Sequence, residues 1–408
     1  MDKEALDTHA GPGPLAGIRV LEVASNLAAP FAGRLLGDLG AEVVKVEDVE
    51  KPDASRSWLP MKGDTAMAFL GANSGKKSIG INLRTPRGRE LLAELSQHFD
   101  VLIEAFRPGR FAKWGLDSQT LRRANPGLVV LHISGFGQTG PDSARPGFGT
   151  VAEAVSGFAY VNGWPQTPPT SAPFGLCDHT AGLAGAFAVS AALRSREVTG
   201  KGDDVDVALY EPMMGMLADM ILAYSSLGEV QERAGNTGVR ASPRGIYETA
   251  DGKWVAIAGS SQSNAIRLFD AMGRSDLTQD PRFATNEARV ANDEELNEIL
   301  ADWAKTQTRD VILKLLTEFE VASGPVNNAT DIVEGEHFRQ RGSVIPFLSR
   351  ELGPLMGPGP MARFGEHAQM TSRPDAPSFG EHTTAILTGD LGLDETAIAE
   401  LKANRIIA

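Results

Sequence analysis

The stretch RVLEVASNLAAPFAGRLLGDLGAEVVKVE, residues 19–47, decides the fold class. Its ends, RVLEV at 19–23 and EVVKVE at 42–47, are short valine-rich runs that read as β-strands. Between them PFAGRLLGDL, 30–39, has helical spacing, with proline in the first turn where its missing N–H costs nothing. Strand, helix and strand in that order make a βαβ unit, and such units build parallel sheets.

The alternation continues along the chain. TPRGRELLAELSQHF at 85–99 predicts a helix capped by Thr85 with Pro86 at its first position, and 101–105 and 128–134 predict two more strands. A small-residue helix over 180–196 is stopped by Thr199-Gly200, and DVDVAL at 204–209 reads as another strand. A long helix is expected over 211–227. The character then changes. Runs at 245–249 and 254–258 flank Ala250-Asp251-Gly252, a hairpin signal, and amphipathic helices follow near 287–304 and 308–318. The last stretch carries the turn-rich GPLMGPGP (353–360) and closes with a short helix. The expected class is α/β, with a parallel-sheet large domain and a smaller α+β domain.

Composition limits the function. The 408 residues are 42% apolar and 22% charged, ordinary for a soluble globular protein, and the net charge of −13 argues against a general nucleic-acid binder. Against that background, residues 73–113 carry a local excess of +4: Lys76, Lys77, Arg84, Arg87, Arg89, Arg107, Arg110 and Lys113 against four acids. Such a run is either a solvated face or an anion site. One cysteine, Cys177, leaves no disulfide framework and no cysteine-based metal site, and no metal is expected. The acidic start MDKEALDTHAGPGP has no apolar core, so no signal peptide is expected. No apolar run reaches the roughly 18 residues of a membrane span; MMGMLADMILAY (213–224) is broken by Asp219. A cytoplasmic enzyme is the expectation, with no membrane partner.

SGFGQTG at 134–140 has the G-x-G-x-x-G spacing of a dinucleotide loop, but PDSARPGFG follows it, and two prolines and two glycines forbid the helix that would receive a pyrophosphate. The loop instead ends a parallel strand, where α/β sheets place ligands.

Several stretches in order, PLAGIRVLEVASNLAAPFAGRLLGDLGAEVVKVE (14–47), NSGKKSIGINLRTPRGRELL (73–92), DVLIEAFRPG (100–109), NPGLVVLHISGFGQTGP (125–141), FGLCDHTAGLAGAFAVSAALRSREVTGKGDDVDVALYE (174–211) and SGPVNNATDI (323–332), resemble the class III coenzyme A-transferases of the CaiB/BaiF type, the family of formyl-CoA, carnitine-CoA and bile-acid-CoA transferases. The resemblance implies a Rossmann-like large domain built from both chain ends, here 1–224 with 331–408 returning to it, a small domain over 225–330, and an interlocked homodimer. It implies acyl-CoA and a carboxylic acid as substrates and no tightly bound cofactor. It matches the family nucleophile to Asp178, one residue before the predicted small-residue helix, and the CoA contacts to Leu27, Ala28, Ile81, Arg84, Phe106, Arg107, Lys113, Arg145 and Phe148.

The chemistry suits Asp178. An ionised carboxylate attacks a thioester carbonyl without needing a base, and the helix N-terminus is expected to keep it ionised. The competing reading is a plain helix N-cap, a role aspartate favours; the chain would then be a non-catalytic acyl-CoA-binding protein. Cys177 reads as small packing and His179 as structural. Asp48 departs from the basic residue that formyl-CoA transferase has there. An α-methylacyl-CoA racemase resembles this chain too, but racemases carry Gly-His-Asp-Ile-Asn-Tyr where this chain has Gly147-Phe148-Gly149-Thr150. The glycine run of oxalate-acting members is replaced by Arg240-Ala241-Ser242-Pro243-Arg244-Gly245, which disfavours oxalate. A short dicarboxylate fits better, with Arg240 or Arg244 as partners for its free carboxylate.

Overall fold

The computed structural model describes residues 13–238, 240–367 and 369–408. They form two compact units. The first takes the chain up to Phe158, then Ser171–Leu222 and Val333–Ala408; the second takes Ala159–Thr170 and Ala223–Ile332. The excursion Ala159–Thr170 into the second unit is invisible to a division by chain order, which keeps 1–224 together.

A parallel sheet of six strands centres the first unit: β1 (Arg19–Val23), β2 (Glu42–Glu47), β3 (Lys77–Gly80), β4 (Val101–Glu104), β5 (Val129–Ser134) and β6 (Asp204–Ala208). Their order is β3-β2-β1-β4-β5-β6. The order reverses between β1 and β4, and the crevice at that reversal is where open α/β sheets bind ligands. Residues alternate between the faces. Val20, Val101, Ile103, Val129 and Leu131 pack under helices α1 (Ala28–Asp38) and α4 (Leu176–Thr199). Leu21, Val44, Ile79, Leu102 and Val130 pack under α2 (Pro86–Ser96) and the C-terminal helices α5 (Thr383–Leu391) and α6 (Glu395–Ala403). Both faces are therefore covered, as parallel sheets require. Thr85 caps α2 by accepting the Gly88 N–H.

The second unit has a three-stranded antiparallel sheet, in which Arg244–Glu248 and Trp254–Ala258 form the hairpin and Ser323–Pro325 adds the third strand. Its core gathers Val255, Ile257, Phe269, Phe283, Leu296, Leu300 and Leu316.

Several elements differ from the sequence expectation. Strand β3 was not anticipated, because KSIG is four residues long and carries no alternation. GPLMGP reads as turns but pairs as a strand, Gly353–Pro358, with Val344–Ser349. Its two prolines are tolerated because a two-stranded ribbon leaves one edge of each strand unpaired. The helix expected over 211–227 breaks at Leu217, and the one over 287–304 breaks at Asn292. Helix α4 starts earlier than 180 and runs for 24 residues. It is long and apolar enough to cross a membrane by length and composition, contrary to the sequence reading, yet half of its apolar window is buried inside the fold. Its alanines and glycines give it that hydropathy while packing it against α1 and β5.

Candidate active site

Two adjoining clefts open at the C-terminal ends of the central strands. The larger, about 250 Å³, lies over β1, β4 and β5 and is lined by Leu27, Ala28, Phe106, Arg107, Arg145, Phe148 and Asp178, among others. The smaller, about 200 Å³, lies towards β2 and is lined by Asp48, Arg84, Phe106, Arg110 and Trp114. Ser25, Ala105, Phe106 and Arg110 line both, so the two are continuous.

Local structure explains the larger cleft. The turn from β1 into α1 passes through Asn26 at φ 70°, a left-handed conformation asparagine tolerates, and the Asn26 N–H donates to Asp53 at 3.1 Å. This sets the first turn of α1, at Leu27 and Ala28, on the cleft wall. The SGFGQTG loop leaves β5 and meets the loop before helix α3 (Gly149–Val155) backbone to backbone. A Cβ on Gly135 would lie 2.7 Å from the Gly147 Cα, so both positions need glycine. That contact holds Arg145–Phe148 over the cleft.

Asp178 is the third residue of α4, and Gly175 is the N-cap. The expectation that Asp178 directly precedes the helix is corrected, and with it the capping alternative: its carboxylate accepts no N–H from the first turn. Two glycines make room for it. A Cβ on Gly175 would lie 2.7 Å from Asp178 Oδ2, and one on Gly149 would overlap the same oxygen. Among the described residues the carboxylate makes no hydrogen bond and no ion pair. Burial, and after it the charge of Glu153, push its pKa up from the ordinary value to about 6. The helix N-terminus was expected to hold the group firmly ionised; removal from water and a like charge outweigh that dipole.

The helix is capped from elsewhere. Glu153 on α3 is buried, and its carboxylate accepts the N–H groups of Ala172 (3.0 Å) and Leu176 (3.3 Å), the latter being the first residue of α4. Cys177 is fully buried, and burial and the Glu153 charge push its thiol up to about 11, so it supplies no thiolate near neutrality. His179 donates from Nδ1 to the Gly175 carbonyl at 2.7 Å and sits edge-on to Phe31 and Phe174, which is a packing role.

The basic run disperses. Lys76 is buried, donating to Glu22, the Pro30 carbonyl and Asn73. Arg87 pairs with Glu90 and Glu94 on α2. Arg84 stays at the smaller cleft but is held by Asp48 and Glu50. Two expected CoA contacts lie away from both clefts. Ile81 is wholly buried and bridges to Ile407, and Lys113 is exposed on the short helix Arg110–Lys113. Arg110, outside the expected contacts, lies over the rings of Phe106 (5.3 Å) and Trp114 (4.8 Å) and lines both clefts. The interleaving of Arg110 with Phe106, Phe111 and Trp114 was the available signal. Arg240 and Arg244 belong to the second unit.

The sequence matches CoA-transferase family III over residues 15–383. The chain is 38% identical, over 97% of its length and 98% of the relative's, to a succinyl-CoA–D-citramalate CoA-transferase of Chloroflexus aurantiacus. It is 32% identical to the human succinyl-CoA:glutarate CoA-transferase, over 97% of this chain and 90% of that one. Its fold superposes on a CaiB/BaiF family protein from Brucella suis with a TM-score of 0.81, at 34% identity, covering 93% of this chain and all of that one. With that match across most of its length, and with relatives named as CoA-transferases over nearly the full chain, the chain belongs to CoA-transferase family III.

Proposed function

We propose that the enzyme moves CoA from succinyl-CoA to a short dicarboxylic or hydroxydicarboxylic acid, with Asp178 as the covalent carrier. The observation that carries this reading is the Asp178 carboxylate itself, unpaired on the cleft wall in a space kept open by Gly149 and Gly175. The relatives' names, which pair succinyl-CoA with citramalate and with glutarate, support the substrate class.

The chemistry balances without a base. The Asp178 carboxylate attacks the thioester carbonyl; the C–S bond breaks, and the negative charge leaves on CoA thiolate, giving a mixed anhydride. The thiolate then attacks the aspartyl carbonyl, releasing the donor acid and leaving an aspartyl-CoA thioester. The acceptor carboxylate attacks that thioester, and thiolate finally attacks the acceptor's half of the new anhydride. Acyl activation survives every exchange, so no nucleotide hydrolysis is needed. Arg107, Arg110 and Arg145 are the cationic groups on the larger cleft, suited to anionic acids and phosphates. Phe148 and Gly149 stand where a racemase needs its imidazole and second carboxylate, so proton exchange at the α-carbon has no base pair here. The functional unit in this reading is an interlocked homodimer.

Incubation with succinyl-CoA followed by hydroxylamine converts an aspartyl adduct to a hydroxamate, which mass spectrometry locates on the peptide bearing Asp178. A screen of dicarboxylic acceptors then ranks the acids. No hydroxamate at Asp178 under turnover conditions removes the covalent mechanism.

A further inference from the structure

Glu153 is a buried carboxylate that forms no ion pair among the described residues. Its two oxygens are taken by two backbone donors, Ala172 N–H at 3.0 Å and Leu176 N–H at 3.3 Å. Leu176 opens α4, and Asp178 lies two residues on. One helix N-terminus therefore faces two carboxylates: one locked to its first N–H, the other free on the cleft wall. A neutral acceptor would satisfy the same N–H groups with less desolvation cost, so a charge here needs a reason beyond capping.

We propose that Glu153 is the positioning residue for the nucleophile: it anchors the first turn of α4, and its charge destabilises the free Asp178 carboxylate relative to the neutral acyl adducts. This rests on Asp178 being the covalent carrier. In the free enzyme two like charges share one water-poor turn. When Asp178 attacks the thioester, its negative charge departs with the CoA thiolate, the aspartyl group becomes a neutral anhydride or thioester, and the repulsion is relieved. Glu153 itself forms no bond to substrate.

Of the charges around Asp178, Glu153 is the one that adds to burial in pushing its carboxyl up. Arg107, Arg110 and Arg145 line the same cleft, and Cys177 and His179 flank Asp178 on its own helix. On the other elements packed against α4, ionisable side chains are engaged elsewhere or exposed. Arg34 on α1 pairs with Asp38. His132 on β5 lies between Glu104 and Asp204, and Asp204 also pairs with Arg122. Asp206 on β6 accepts the Gln138 N–H, and Glu211 after β6 is exposed. The upward push on Asp178 has burial as its first cause and Glu153 as its second.

The test compares the full-length wild type with Glu153→Gln and Glu153→Asp, reading the acid limb of kcat/KM and the fraction of enzyme carrying the aspartyl adduct at equilibrium with succinyl-CoA. Glu153→Gln removes the charge. Its acid half-point should move down by on the order of half a unit or more, and its adduct fraction should fall severalfold. Glu153→Asp keeps the charge but shortens the reach; its half-point should stay at the wild-type position while kcat falls through loosened positioning. A folded Glu153→Gln enzyme with an unchanged half-point and adduct fraction reduces Glu153 to a cap and overturns the proposal. So does a half-point that drops in Glu153→Asp, which can be read even where the glutamine variant does not fold. Failure of the wild type to form any adduct at Asp178 instead overturns the covalent reading, and so is distinct.

Discussion

The Arg84 guanidinium lies 3.2 Å from the Asp48 carboxylate and 2.7 Å from that of Glu50, at the rim of the smaller cleft. The residue that departs from the formyl-CoA transferase pattern thus occupies the very arginine expected to meet a CoA phosphate. Any phosphate binding there has to displace two carboxylates. The pairs are partly exposed, so their own contribution to stability is small.

Arg84→Ala should weaken free CoA binding by roughly tenfold, the loss of one charge-assisted hydrogen bond. Asp48→Asn should tighten it by loosening the arginine. Arg110→Ala should also weaken it, through the lost contact with Phe106 and Trp114, whereas Lys113→Ala should leave it unchanged. Calorimetric titration of CoA into the four variants separates these outcomes; equal affinities in all four would return the arginines to a solvated face.

Asp178→Asn should lower turnover by orders of magnitude and yet stabilise the fold. The folded pKa of Asp178, about 6, lies above its ordinary value of 3.8, so ionising it costs folding free energy. That cost is absent below the unfolded value and complete once the pH exceeds about 6. The asparagine variant should be more stable by about 3 kcal/mol at pH 8, with the gap closing by pH 4. Thermal melts at the two pH values check the sign; a capping aspartate would show the opposite change.

Gly149→Ala should leave the fold intact and cut kcat by a hundredfold or so, on the order expected for a misplaced reacting group. Alanine suits the start of α3, but its methyl group occupies the space of Asp178 Oδ2. Steady-state kinetics alongside circular dichroism tests this; near-normal kcat would show that Asp178 does not use the position it holds in the free enzyme.

His132 should make the fold lose stability in alkali. Burial lowers its pKa, but hydrogen bonds to Asp204 and Glu104 and their charges outweigh burial and carry it up to about 9. A folded pKa above the unfolded value of 6.5 gives stability that is full below about pH 6.5 and lost as the pH rises through about 9. His132→Gln should therefore cost about 3 kcal/mol at pH 6 and little at pH 9.5. Denaturant melts at both values give the difference; a cost independent of pH would assign His132 to packing alone.

The protein should sediment as a dimer even at nanomolar concentration, as an interlocked pair with a very large interface would. Helix Ala218–Leu227 buries none of its residues in the single chain, and Leu222, Tyr224 and Leu227 are each more than 60% exposed. Apolar surface of that kind is what a partner subunit would cover. Monomer at low concentration would remove the interlocked arrangement and leave the chemistry at Asp178 standing.

The sheet was legible because its signals are local. Val20, Leu21, Val43 and Val44 alternate within single strands, Thr85-Pro86 marks a helix start, and Gly200 ends α4 at φ 69°. Each depends on neighbours a few residues away. KSIG was not legible as a strand because pairing with β2, not its own pattern, makes it one. The site divides the same way. The resemblance to the class III CoA-transferases singled out Asp178, Phe106 and Arg145, whereas the local pattern at Asp178 reads equally as a helix cap. The tertiary fold decided what surrounds them: Glu153 reaching Leu176 across 23 residues, Gly149 opposite the carboxylate, Asp48 on Arg84, and Ile81 turned into the core. Hydrophobic periodicity is a property of a segment, whereas the charge and solvation of a carboxylate depend on whichever distant groups packing brings to it.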